Sequence, residues 1–273
     1  MTRSKPLTLS RTLAYVAAFA MCLWILVPIY FITLAAFSTQ QSVYRYPNTL
    51  VPAHVTTSTL SYFIHSPGVL DSLKVSLLVA AITLAISLAI GTPAGYALER
   101  FAFRGEGVFR MTLVTTRTFP IVALAIPMST TFIQWGIDDT VWAVALVHAA
   151  LSIPFVVLVT ASVFANISRE LEEAAQTLGC NRAQAFARVV LPLARPGFAA
   201  AAIFTFITSW NEVFAASVLT LQHPTLPAEV LAVLESSPLP FKYAGGFFML
   251  FPAFFVIFFS RKYLFNTFSG TAR

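Results

Sequence analysis

A Trp-Asn-Glu run lies inside one of the most apolar stretches of this chain. Trp210, Asn211 and Glu212 fall within the hydrophobic segment at residues 197–221. An indole ring can stack on a sugar, and an amide or a carboxylate can hydrogen-bond sugar hydroxyl groups. A charge at the centre of a membrane costs at least ~2.5 kcal/mol, so an ionisable residue there suggests a function such as lining a solute path. The same residues would also serve to pack a helix crossing or to hydrogen-bond a neighbouring helix, and both interpretations stay open.

Two further ionisable residues interrupt apolar stretches. Arg117 lies about seven residues into the segment 111–134, or roughly 10 Å from its end at 1.5 Å per residue. In straight helices it would be too shallow to pair with Glu212, so we expect its side chain to extend toward the cytoplasm; binding an anion is the alternative. His148 has no acidic neighbour in sequence and is interpreted as a hydrogen-bonded packing residue, with a proton relay as the alternative.

The sequence shows no pattern for nucleotide binding, metal binding or nucleophilic catalysis. It contains no G-x-x-x-x-G-K-[ST] phosphate loop, the usual cradle for nucleotide phosphates. It also has no Cys/His cluster and no spacing that suggests a Ser, His and acid trio. We therefore expect no catalytic residue, no metal site and no bound cofactor in this chain.

Composition indicates that these residues are positioned by membrane-spanning helices. The chain is 58% hydrophobic and 10% charged, against about 25% charged in an ordinary globular protein. Apolar runs long enough to cross a bilayer predict six helices in one all-α transmembrane domain covering residues 1–273. They lie near residues 13–37, 75–98, 111–134, 140–164, 197–221 and 244–263. The first has no clear cleavage site and is interpreted as a retained anchor.

The basic residues predict the orientation of these helices. Thirteen of the 17 Lys and Arg residues lie before the first segment, between the second and third, between the fourth and fifth, or at the end of the sixth. Positive charge marks the cytoplasmic side, so both termini are predicted to be cytoplasmic. Basic residues at alternate loops do not make the single basic face of a nucleic-acid-binding protein, so the formal charge of +6 indicates no nucleic acid partner.

The cytoplasmic loop at residues 166–196 reads as a hairpin of two short amphipathic helices. In the first, apolar residues recur at helical spacing and Gly179 follows as a stop. The second begins at Asn181, with Gln184 three residues on as in a capping box, and Pro192 and Pro196 end it. The two apolar stripes are formed by Leu171, Ala174, Ala175 and Leu178, and by Ala183, Phe186, Ala187 and Val190. Such a hairpin is unstable alone, so its stripes require a partner, which is either this chain's own helix ends or another protein.

The same loop carries a specific resemblance. Glu173-Ala174-Ala175, then Gly179, Val189 and Leu191-Pro192 resemble the EAA signature of the permease subunits of binding-protein-dependent ABC importers. The family usually has Ile at the position of Val189, and often Asp at that of Leu178. The runs GYALERFAFRG, RTFPIVALAIP and IFTFITSWNEVFAASVLT are similar to the carbohydrate-uptake branch, in particular to the smaller permease of maltose systems.

This resemblance implies the partners and the mechanism. A second related permease would complete a heterodimer, two ATP-binding subunits would hold ATP and magnesium, and an extracytoplasmic binding protein would deliver the solute. Translocation across the prokaryotic cytoplasmic (inner) membrane would follow ATP-driven alternating access. Glu173 would lie at the ATPase interface, Ala174 and Ala175 would allow close packing, Gly179 would form the turn, and Leu191 and Pro192 would complete the coupling loop.

Two other functions remain open from the sequence. The solute could be a polyol, glycerol phosphate or another small compound, and Arg117 would fit a phosphorylated ligand only if it faced the path. A self-contained secondary transporter or channel is the alternative from a different class. It would use Glu212 and His148 in an ion site, but it would leave the cytoplasmic hairpin unexplained.

Overall fold

The computed structural model describes residues 9–46, 50–51, 54–233 and 237–269, with side chains described between residues 11 and 258. The helices are α1 (Leu9–Ala36), α2 (Gln40–Val43), α3 (Ser58–His65), α4 (Val69–Arg100), α5 (Glu106–Thr116), α6 (Ile121–Trp135), α7 (Val141–Ala165), α8 (Arg169–Thr177), α9 (Arg182–Ala185), a π-helical segment (Phe186–Val190), α10 (Leu191–Leu193), α11 (Arg195–Trp210), α12 (Phe214–Leu219), α13 (Leu226–Ala232) and α14 (Leu239–Ser269). No strand occurs among these residues, which confirms the predicted all-α class.

Four helices are long and apolar enough to cross a membrane by themselves. They are Arg11–Ala36 within α1, α4, α7, and Leu239–Phe258 within α14. Two bent helix pairs raise the number to as many as six if each pair makes one span. The predicted count of six therefore remains a prediction. Arg3, Lys5 and Arg273, which contributed to the predicted orientation, lie outside the described residues.

The third predicted helix, at residues 111–134, is not continuous. Helix α5 ends at Thr116, α6 begins at Ile121, and the two axes differ by 88°. Pro120 stands at the N-cap of α6 with extended backbone angles. A proline has no N–H for the helical ladder and disfavours helical geometry in the residue before it, which explains the break after Arg117.

The fifth predicted helix, at residues 197–221, is also interrupted. Helix α11 ends at Trp210, and α12 begins only at Phe214. The Glu212 carboxylate accepts hydrogen bonds from the backbone N–H groups of Ala215 and Ala216, at 2.9 and 3.1 Å. The break creates the N-terminus of a new short helix, and Glu212 accepts hydrogen bonds from backbone N–H groups that are free there. A continuous helix would have no such free N–H groups.

The described chain divides into two compact units, residues 1–66 with 234–250, and residues 67–233 with 251–273. In the first unit, Phe63 is fully buried. Its ring centroid lies 4.9 Å from that of Phe241 and 5.7 Å from that of Phe248. The unit is thus packed around an aromatic cluster.

The second unit is built on the close approach of α4 and α7. A methyl group at Gly95 would lie 2.1 Å from Thr160 Oγ1 and 2.7 Å from the Val157 carbonyl oxygen. At Gly91 it would lie 2.6 Å from Val156 Cγ1. Only glycine permits this backbone separation, so α4 and α7 lie in close contact along the C-terminal half of α4.

Candidate coupling loop and membrane cavity

The first helix of the loop at residues 166–196 is defined by local signals at both of its ends. At its start, the Ser168 hydroxyl accepts a hydrogen bond from Glu170 N at 3.2 Å. At its end, Gly179 N donates to the Gln176 carbonyl and Cys180 N donates to the Ala175 carbonyl, each at 3.0 Å. This pair of bonds is a Schellman motif. Gly179 has φ of +95°, a left-handed conformation that favours glycine, so the predicted glycine stop is confirmed.

The predicted apolar stripe of α8 faces outward. Leu178 is 87% exposed and Leu171 is 45% exposed, while Ala174 is also exposed. Only Ala175 of the four stripe residues is buried. This chain itself therefore covers Ala175 and leaves the other three stripe residues exposed. Glu173 is exposed on the same short helix.

The buried polar side chain of α8 is Glu172, which no sequence pattern distinguishes from its neighbours Glu170 and Glu173. It forms an ion pair with Arg100, and the two side chains are 8% and 7% exposed. The Tyr96 hydroxyl donates to Glu172 Oε2 at 2.7 Å, and Arg100 Nη2 donates to the Ile167 carbonyl at 2.9 Å. Helix α8 is thereby attached to the end of α4 by buried charged groups.

The second helix of the hairpin begins as predicted and then changes its register. Both hydrogen bonds of the Asn181–Gln184 capping box are present, at 3.0 and 2.8 Å. After Ala185, however, the chain forms five π-helical residues. The burial then differs from the predicted second stripe: Val190 is buried and Phe186 partly buried, as expected, but Ala183 and Ala187 are exposed and Ala185 is buried instead.

Leu191 and Pro192 lie where the loop turns back toward the apolar helices. The helical stretch Arg182–Leu193 and α11 are bent by 74° relative to each other, as the prolines predicted. Both residues line a groove of about 570 Å³, together with Pro93 of α4 and Phe198 of α11. Their place at this bend joins the hairpin to the fifth apolar segment.

Glu212 belongs to a buried network and is 10% exposed. His148 Nε2 lies 3.0 Å from Glu212 Oε2, and His148 Nδ1 lies 2.9 Å from Ser209 Oγ. The interpretation of His148 as a hydrogen-bonded packing residue agrees with this geometry. Its acidic partner is 64 residues away in the chain, which is why inspection of sequence neighbours missed it.

Three of the four residues predicted for the solute path meet at one cavity. Arg117, Asn211 and Glu212 line a space of about 500 Å³. The guanidinium carbon of Arg117 lies 4.8 Å from the centroid of the Phe155 ring, a cation–π arrangement. The bend between α5 and α6 thus brings Arg117 to the same wall as Glu212, contrary to the expectation from straight helices. Trp210 is 1% exposed and stacks on Phe206 with ring centroids 6.0 Å apart, so it packs beside the cavity rather than lining it.

A further polar contact, also missed by the sequence reasoning, ties two loops. Asp139 Oδ1 accepts hydrogen bonds from the backbone N–H groups of Leu221, Gln222 and His223, and Oδ2 pairs with the His223 ring at 2.9 Å. Burial by itself would raise the pKa of Asp139, but these hydrogen bonds outweigh it and hold the pKa below its usual value. Asp139 has φ of +53°, a conformation that aspartate tolerates better than most residues.

This combination defines a class of protein: an all-helical membrane protein with a glycine-stopped hairpin presented outside its apolar helices. The chain belongs to the family described as binding-protein-dependent transport system inner membrane component, which it matches over residues 87–267. It is therefore a permease component of an ABC importer, in the inner membrane, and the resemblance found in the sequence is confirmed.

Individual relatives and structures agree with this family. The trehalose transport system permease protein SugB of Mycobacterium tuberculosis (strain CDC 1551 / Oshkosh) is 27% identical over 231 residues, covering 82% of this chain and 84% of that protein. The diacetylchitobiose uptake system permease protein DasC of Streptomyces coelicolor (strain ATCC BAA-471 / A3(2) / M145) is 33% identical over 138 residues, half of each chain. A bacterial ABC transporter involved in the import of the acidic polysaccharide alginate shares the fold, with a TM-score of 0.74 and 24% identity over 95% of this chain and 99% of that chain.

Proposed function

We propose that this permease imports a carbohydrate, driven by ATP that separate subunits hydrolyse. Relatives named for trehalose and diacetylchitobiose transport support a sugar as the solute. The observation that carries the coupling role is the outward-facing surface of α8, where Leu171, Ala174 and Leu178 are exposed. A group of neighbouring exposed apolar side chains is typical of a protein interaction site, and an ATPase subunit is the partner that an importer of this family provides.

The assignments within the coupling loop follow from this exposure. Glu173 would contact the ATPase subunit, and Ala174 would allow its surface to approach closely, with Ala175 packing against this chain. Gly179 would shape the end of the helix, since a Cβ there would meet no atom within 4 Å and its left-handed φ is the constraint. Leu191 and Pro192 would carry displacement of the hairpin into α11.

The cavity lined by Arg117, Asn211 and Glu212 is our candidate for this chain's share of the solute path. Asn211 supplies an amide for sugar hydroxyl groups. Glu212 is already engaged, since its oxygens accept from His148 and from the start of α12. We assign it to holding the broken helix in shape at the cavity wall, and we assign Trp210 to supporting that wall from behind.

The complete transporter would contain a second related permease, two ATP-binding subunits and an extracytoplasmic binding protein. Both termini and the hairpin would lie in the cytoplasm, as the distribution of Lys and Arg predicts. ATP and magnesium would be bound by the ATPase subunits. The solute path would be shared between the two permeases.

Co-purification with the ATPase subunit tests the coupling role. Glu173→Arg should reduce the amount of ATPase subunit retained on the tagged permease. Glu170→Arg is the matched control, because it makes the same charge change on an exposed neighbour of the same helix. Equal retention by Glu173→Arg, Glu170→Arg and the native chain would contradict the assignment of Glu173. Placement of Gly179 on the outer surface by cysteine labelling would contradict the whole scheme.

An anionic solute, such as glycerol phosphate or an acidic sugar, is the second candidate because Arg117 faces the cavity. Arg117 makes no ion pair among the described side chains. Ligand binding by the associated binding protein would separate neutral from anionic solutes. Uptake by this chain alone in vesicles without ATP would instead revive a secondary transporter.

A further inference from the structure

The ion pair between Arg100 and Glu172 is buried at the junction of α4 and α8. Arg100 Nε donates to Glu172 Oε1, Tyr96 donates to Oε2 at 2.7 Å, and Arg100 Nη2 donates to the Ile167 carbonyl at 2.9 Å. Both carboxylate oxygens and two guanidinium nitrogens are therefore engaged. These bonds join the end of α4 to both Glu172 of α8 and the chain just before α8, which favours one relative position of the two helices.

Aromatic rings enclose this ion pair on one side. The Tyr96 ring centroid lies 4.5 Å from that of Phe186, 5.5 Å from that of Phe164 and 6.3 Å from that of Phe101. A buried ion pair is a poor way to gain stability, because well-packed apolar residues of similar volume often do as well or better. Its best-attested use is to specify one geometry. The charges at this junction thus favour a positioning role over a purely stabilising one.

The helix held by this pair is joined closely to the rest of the second unit. Helix α4 has 32 residues, which at 1.5 Å per residue is about 48 Å. Near Arg100 it approaches α7 at Gly91 and Gly95, where no side chain fits. Near its start, the Ser76 hydroxyl accepts a hydrogen bond from Leu226 N of α13 at 2.7 Å. A displacement of the end of α4 would therefore reach α7 and the residues at the opposite end of the helix.

We propose that Arg100 and Glu172, supported by Tyr96, are positioning residues that lock α8 to α4, so that movement of the coupling helix is transmitted into the α4–α7 pair. This inference rests on the proposed function, because it requires an ATPase subunit to move α8. Without the ion pair, α8 would still bind the ATPase subunit through its exposed face. Its displacement would be lost at the junction instead of reaching the transmembrane helices.

One other hydrogen bond joins α8 to α4, and it remains when the ion pair is replaced. Arg169 Nη2 donates to the Glu99 carbonyl at 2.8 Å, so α8 stays attached to α4 when the ion pair is removed. Single removal of Arg100 or Glu172 would leave a buried unpaired charge and endanger folding. The informative variant replaces both with apolar residues of similar size, Arg100→Met/Glu172→Leu, and Tyr96→Phe provides a milder second variant.

The test uses the whole transporter in nanodiscs, together with the purified extracytoplasmic binding protein of the same importer. ATP hydrolysis is measured with and without the binding protein. The binding protein contacts the permease on the outer side, so it can stimulate the ATPase subunits only through a conformational change of the permease. For Arg100→Met/Glu172→Leu we expect normal assembly and basal hydrolysis, with stimulation reduced about fivefold or more, as the loss of an ordinary coupling free energy would produce. Tyr96→Phe should give a smaller reduction, and Glu170→Gln, on the exposed side of α8, should give none.

A distance measurement tests the same lock without any solute. Spin labels at Thr177→Cys and Ala102→Cys, both exposed positions, report the separation of α8 from the end of α4 after Cys22 and Cys180 are replaced by Ser. Vanadate-trapped MgATP should leave this separation unchanged in the native background and should shift or broaden it in Arg100→Met/Glu172→Leu. If this variant fails to assemble, the ATP hydrolysis and distance measurements on Tyr96→Phe test the inference instead.

The outcomes separate this inference from the proposed function. Unreduced stimulation and an unchanged distance in the assembled variants would overturn the lock and leave the importer intact. A native permease that binds no ATPase subunit would overturn the proposed coupling function itself.

Discussion

Replacing Gly197 with alanine should destabilise the protein through one crowded contact. Gly197 lies in α11, just after the bend that connects the coupling loop to the membrane helix. An added methyl group would lie 2.2 Å from Val163 Cγ2, 2.7 Å from Val163 Cγ1 and 3.0 Å from Val163 Cβ, whereas ordinary carbon contacts are about 3.5–4.0 Å. Because a valine side chain on a helix has one strongly preferred rotamer, it cannot easily turn away.

The size of the effect follows from two opposing contributions. Overpacking a close contact costs about 1–3 kcal/mol, while alanine gains up to ~1 kcal/mol over glycine in a helix interior. The difference is about 0–2 kcal/mol, so we expect Gly197→Ala to lower the free energy of unfolding by about 1 kcal/mol. This change can be measured by reversible unfolding in mixed micelles of a mild detergent and SDS, with the helix content monitored by circular dichroism.

A double-mutant cycle identifies the contact responsible. Val163→Ala removes both clashing methyl groups, so Gly197→Ala should cost little in that background, with a coupling energy of about 1 kcal/mol or more. Gly107→Ala is the control, because no atom lies within 4 Å of a Cβ at Gly107, and it should be neutral or slightly stabilising. Additive effects of Gly197→Ala and Val163→Ala would refute the reasoning from close packing.

Three further changes have defined outcomes. Gly179→Ala should weaken retention of the ATPase subunit through backbone strain of about 1 kcal/mol, and Gly179→Asn should restore most of it because asparagine tolerates φ above zero. His148→Phe should lower the free energy of unfolding by roughly 1–3 kcal/mol, since Glu212 Oε2 loses a buried hydrogen bond. Hydrogen bonds hold the pKa of Asp139 below its usual value. The ionised carboxylate therefore stabilises the folded state fully above the unfolded-state pKa, and this stabilisation is lost as the pH falls through the lower folded-state pKa. Amide exchange at His223, corrected for intrinsic rates, should accelerate over that acidic range, and Asp139→Asn should abolish the pH dependence.

Each of these three has a contradicting result. Equal retention by Gly179→Ala and the native chain would show that the left-handed turn is dispensable for coupling. An unchanged unfolding free energy in His148→Phe would show that Glu212 is satisfied without the imidazole. Acid-induced exchange at His223 that persists in Asp139→Asn would place the titrating group elsewhere.

Local signals made the coupling loop largely readable from the sequence. The Asn181–Gln184 capping box and the Gly179 stop depend on residues within five positions of each other, and both are confirmed by their hydrogen bonds. The register of the second helix was less readable, because five π-helical residues after Ala185 shift its faces. No local pattern distinguishes that segment from an ordinary α-helix, since its geometry depends on packing.

The amino-acid sequence is sufficient to predict an all-helical membrane protein, because apolar length and the placement of charge depend only on composition along the chain. It also identified the family, through the short-range EAA pattern. Three features depend on how the chain packs: Glu172 is buried while three of the four apolar stripe residues are exposed, Glu212 pairs with His148, and Arg117 reaches the cavity lined by Asn211. These contacts join residues more than 60 positions apart or depend on the breaks at residues 117–120 and 211–213. Their physical cause is that a buried charge must find a partner wherever the folded chain supplies one, and sequence spacing does not record that place.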